Sequence, residues 1–74
     1  MNVGEQWEAL CSECDQAKQE FYSAWSVVMP KFRAIGEGRS RENPTNEELE
    51  RLESATRRRD AAEDAARAFM KAHL

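Results

Sequence analysis

Hydrophobic residues in the first half of the chain recur at spacings of three and four. At 100° per residue Trp7, Leu10, Cys14, Ala17, Phe21, Trp25, Val28, Phe32 and Ile35 fall within about 40° of one line. That period predicts one amphipathic helix over about 3–35. Asn2 followed by Glu5 supplies a capping-type start. Pro30 is the interior exception, because a proline lacks the backbone donor and its ring meets the carbonyl four residues back. The stripe keeps its phase across Pro30, so a kink near Ser26 is expected rather than a break.

The pattern then changes. Gly36 and Gly38 suit a helix stop, and 36–44 reads as a polar loop without an apolar anchor. Thr45 with Glu48 repeats the capping signature, Glu47 suits the positive end of the helix dipole, and a second helix is expected over about 46–72. Its inner line, Leu52, Ala55, Arg59, Ala62, Ala66, Phe69 and His73, is mostly small residues. The expected fold is therefore all-α, a two-helix antiparallel hairpin forming a single domain over 1–74.

The two stripes do not match in volume. The first carries two tryptophans and two phenylalanines, with Tyr22 and Met29 flanking it at about 80° to 100°. The second returns alanines. An aromatic stripe left uncovered is unusual on a soluble monomer, and a second copy related by a two-fold axis would cover it as a four-helix bundle. The expected oligomer interface comprises Trp7, Leu10, Phe21, Tyr22, Trp25, Val28, Met29, Phe32 and Ile35 of the first helix with Leu52 and Phe69 of the second.

Size points the same way. A chain of 74 residues buries little surface, and the usual supplements are disulfides, a metal or association. Two cysteines and no long apolar run leave association, with no membrane span. Met1 to Leu10 lack the basic and apolar regions of a signal peptide, so a cytoplasmic protein is expected. The net charge of −3 is spread over helices of mixed sign and suggests neither nucleic acid nor a membrane surface as partner.

Three groups of residues could carry chemistry. Cys11 and Cys14 have the spacing of zinc knuckles and redox dithiols, but they lie in the third turn beside Glu8, Glu13 and Asp15, where negative neighbours oppose a thiolate. A metal site would need His73 and further ligands from a second chain; the plainer expectation is two small packing groups and no cofactor. His73 has no positioned partner for catalysis. Arg57, Arg58 and Arg59, with Arg51, Arg39, Arg41, Lys31 and Arg33, could form a basic region near the loop. Glu50, Glu53, Asp60, Glu63 and Asp64 interleave with them at helical spacings, which predicts a salt-bridged solvated face. Arg59 alone points inward, where its guanidinium is expected to stack on Phe21 or Tyr22 or to meet Glu20.

The connector Asn43-Pro44-Thr45-Asn46 resembles that of type III secretion needle subunits, whose helices also flank an Asn-Pro loop. The likeness covers four residues, and no activity is carried over. The hairpin plan is also similar, as architecture alone, to RNA-binding hairpin dimers of plasmid copy control. The function expected is that of a non-enzymatic homo-oligomeric interaction, adaptor or regulatory module, whose first partner is itself and whose second is another protein. The alternatives are nucleic-acid binding through the Arg-rich loop end and a metal-dependent dimer through Cys11, Cys14 and His73.

Overall fold

A computed structural model describes residues 2–73, and within them the chain forms α1, Val3–Gly36, and α2, Asn46–His73, with no strand. The helices lie antiparallel. Trp7 meets Phe69, Cys14 meets Ala62 and Lys31 meets Glu48, which fixes a hairpin of 53 × 18 × 14 Å.

Both helix starts are capped as their sequences require. The Glu5 amide donates to Asn2 Oδ1 at 2.8 Å. At α2 the cap is reciprocal: the Glu48 amide donates to Thr45 Oγ1 at 3.1 Å, and the Thr45 amide to Glu48 Oε1 at 2.8 Å. The stop of α1 is a Schellman turn, in which the Gly38 amide donates to the Ile35 carbonyl at 3.1 Å and the Arg39 amide to that of Ala34 at 2.9 Å. Gly38 has φ of 73°, where a side chain would be strained, so this glycine terminates the helix. Gly36 remains helical. Each helix runs one residue beyond its expected end, and α1 passes through Pro30 unbroken.

The connection corrects one expectation. Residues 37–45 do have an apolar anchor, because Pro44 is buried, and Lys31 reaches Glu42 at 3.5 Å from within α1. The loop is pinned at its second half.

The seam between the helices is made of small residues. Ala17, Ala24 and Val28 of α1 are buried against Ala55 and Ala62 of α2, and Val28 is the largest fully buried side chain among the described residues. Alanines seven residues apart on each helix, 17 with 24 and 55 with 62, return to the same face after two turns and let the backbones approach closely. The buried line of α1 is accordingly rotated about 40° from the centre of the aromatic stripe at 100° per residue. The stripe is therefore displaced to one side of the seam. Trp25 and Phe32, expected on the inner line, stand 43% and 47% exposed. None of the described helices is long and apolar enough to cross a membrane.

Candidate interaction surface

The seam has two unlike flanks. On one, charged groups bridge the helices. Arg58 of α2 donates to Glu13 through Nε at 2.7 Å and Nη2 at 3.1 Å and also binds Glu20. Lys31 Nζ donates to Glu48 Oε1 at 2.7 Å, the same oxygen that caps α2. These pairings move the groups' titration in the directions that favour charge. Hydrogen bonding from Arg58 holds Glu13 below the usual carboxylate range, and that from Lys31, with Thr45, does the same for Glu48. The bond to Glu48 pushes Lys31 up, and those to Glu13 and Glu20 push Arg58 up.

On the other flank α1 presents aromatics. Phe21, half-buried, sits at the centre: its ring lies 5.6 Å from that of Tyr22 and 5.7 Å from that of Trp25. The Arg59 guanidinium carbon lies 4.1 Å from the Phe21 centroid, the stacking anticipated for the inward-pointing arginine. Glu20 instead goes to Arg58. Tyr22, Trp25 and Phe32 project from this face, Tyr22 with 64% of its surface exposed, and Leu49 of α2 is exposed near the loop end.

A second apolar feature lies at the open end. Trp7 stacks on Phe69 at 5.7 Å with 27° between the rings, and Phe69 lies 4.3 Å from the His73 ring. Together with Met70 these side chains line an open hollow of about 290 Å³.

The residues singled out in the sequence thus divide. Val28, expected at an oligomer interface, is filled by the hairpin itself. Leu10, Phe21, Met29, Ile35, Leu52 and Phe69 are half-buried, whereas Trp7, Tyr22, Trp25 and Phe32 retain an open face. Cys11 and Cys14 are free and half-buried, the latter donating its thiol to the Ala62 carbonyl at 3.4 Å. They are not gathered with His73, which lies against Phe69, and no group of three potential metal ligands occurs among the described residues.

The arginines are spread over acidic partners: Arg39 pairs with Glu37, Arg57 with Glu53, Arg59 with Asp60, and Arg67 with Glu63 and Asp64. Arg51 donates to Ser23 Oγ at 2.9 Å. Two features escaped the sequence reading. The Arg58 bridge was hidden because acids on its own helix stood at equally suitable spacings. A line through the largest side chains bypasses Ala24, although its spacing of seven from Ala17 is plain in the sequence.

No family model matches the chain, and no curated protein or solved structure is similar to it.

Proposed function

We propose that this chain is a non-enzymatic, cytoplasmic interaction module that acts as a homo-oligomer, two hairpins covering each other's aromatic flank as a four-helix bundle. The carrying observation is the exposure of Tyr22, Trp25 and Phe32, at 64%, 43% and 47%, on one side of α1. Large aromatics contribute on the order of 1.5 to 3 kcal/mol each when covered and nothing when wet. The hairpin's own core adds little to offset this, since the buried positions of its two helices, among the described residues, are alanines and one valine. Pairing converts the wet side into a core, in the way small helical folds compensate for their size.

A nucleic-acid role has less behind it, because Arg39, Arg57, Arg58 and Arg59 are engaged by carboxylates. The test is the oligomeric state of the purified chain by sedimentation equilibrium. A mass that is a multiple of 8.5 kDa, falling to the single-chain value in Trp25→Asp, supports the module. A monomer that binds nucleic acid with a steep salt dependence would replace it with the alternative reading.

A further inference from the structure

Two pairs of the exposed apolar side chains are placed symmetrically about the middle of the hairpin, whereas Val3, Tyr22, Trp25 and Val27 have no apolar counterpart exposed at the mirrored position. The midpoint of α1 falls between Gln19 and Glu20, and Trp7 precedes it by the same number of steps as Phe32 follows it. The midpoint of α2 falls between Arg59 and Asp60, and Leu49 and Met70 stand equally far to either side. All four are exposed: Trp7 36%, Phe32 47%, Leu49 38% and Met70 39%. Trp7 and Phe32 also share a direction on α1 to within about 20° at 100° per residue.

We infer that the second copy packs with its loop at the opposite end, and that its Phe32 enters the open-end hollow lined by Trp7, Phe69, Met70 and His73. This rests on the homo-oligomer reading above and adds the orientation and the contact. A two-fold axis lying in the interface and crossing the hairpin at mid-height lays α1 on the second copy's α1 and α2 on its α2, each antiparallel. It exchanges equivalent positions on either side of the middle, so Trp7 meets the second copy's Phe32 and Met70 its Leu49, twice over.

The other two-fold arrangement places both loops at one end. It lays α1 on the second copy's α2, so that hollow faces hollow and Phe32 of each copy meets Leu49 of the other. The hollow, of about 290 Å³, is then left without a filling group, whereas interfaces of stable complexes pack as densely as interiors. With loops at opposite ends each Phe32 faces the other copy's hollow, and the overlap of both helices is complete. The site is unfinished in a single chain: its walls come from one copy and its filling ring from the other.

The experiment is an isotope-filtered nuclear Overhauser measurement on a dimer reconstituted from equal parts labelled and unlabelled wild-type chain, with mass determined on the same sample. Within one chain Trp7 and Phe32 are separated by about 37 Å at ~1.5 Å of rise per residue, so any contact between them is intermolecular. The expected result is cross-chain signals from the Phe32 ring to Trp7 and to the Met70 methyl. Phe32→Ala should weaken association about tenfold or more while helicity persists, because the ring is half exposed in the single chain. A dimer whose cross-chain signals join Phe32 to Leu49 overturns the opposed orientation and leaves the homo-oligomer intact. A mass of 8.5 kDa without cross-chain signals overturns both.

Discussion

Arg58 holds Glu13 with two nitrogens, Nε at 2.7 Å and Nη2 at 3.1 Å, and so ties the middle of α2 to the first third of α1. This bidentate geometry fixes the direction of approach as well as the distance, which a lysine cannot reproduce. Arg58→Lys should therefore lower the melting temperature, and in a double-mutant cycle Glu13→Gln should cost less in that background than in the wild type. Thermal denaturation of the four proteins measures the coupling; additive effects would show that the pair is formed without consequence.

The same pairs set the pH range of stability. Glu13 and Glu48 titrate below their unfolded values, so their contribution is present above the ordinary carboxylate range and is lost as pH falls through the depressed folded values. Lys31 titrates above its unfolded value, so its contribution is present at neutral pH and is lost as pH rises through the raised one. A melting temperature flat between about pH 6 and 9, falling on both sides, is expected. Glu48→Gln should flatten the acid limb.

The alanine seam makes a prediction opposite to that for a loosely filled core. Ala24 is 1% exposed and Ala55 0%, so added methylenes have no space between the backbones. Ala24→Leu should destabilise the hairpin by about 1 to 3 kcal/mol in chemical denaturation, whereas Ala65→Leu, on the exposed side, should leave it within about 0.5 kcal/mol.

At the turn, Thr45→Ala removes one half of the reciprocal cap and should cost about 1 kcal/mol. Gly38→Ala forces a side chain into the left-handed region, with a penalty of about 1 to 2 kcal/mol. Because Pro44 is buried while Arg41 is exposed, limited proteolysis should begin at Arg39 or Arg41, and an inserted glycine-serine segment should be tolerated after Arg41 but not beside Pro44.

The sequence made the helices legible because both carry their own punctuation: Asn2 with Glu5, Thr45 with Glu48, and Gly38 past the end of α1. The hairpin followed from the loop between two periodic segments. The angular position of the contact did not, because a periodicity argument weighted by side-chain size centres on Trp25 and Phe32, while close packing of two helices selects Ala17, Ala24, Ala55 and Ala62. Pro44 was similarly invisible, since its burial depends on where the loop folds back. The stacking of Arg59 on Phe21 is legible because both positions lie near the seam at matching heights, whereas the selection of Glu13 and Glu20 over same-helix acids by Arg58 is set only by how the helices pack.

Whether another copy covers the aromatic flank of α1 is decided by sedimentation equilibrium of the wild-type chain over a range of micromolar concentrations, beside Trp25→Asp. The expected result is a wild-type mass that is a multiple of 8.5 kDa, with melting that rises with concentration, and a variant at the single-chain mass with reduced helicity, since a charge placed in the covered flank has no partner. A wild type that sediments at 8.5 kDa throughout, fully helical and melting at one temperature whatever its concentration, would contradict it.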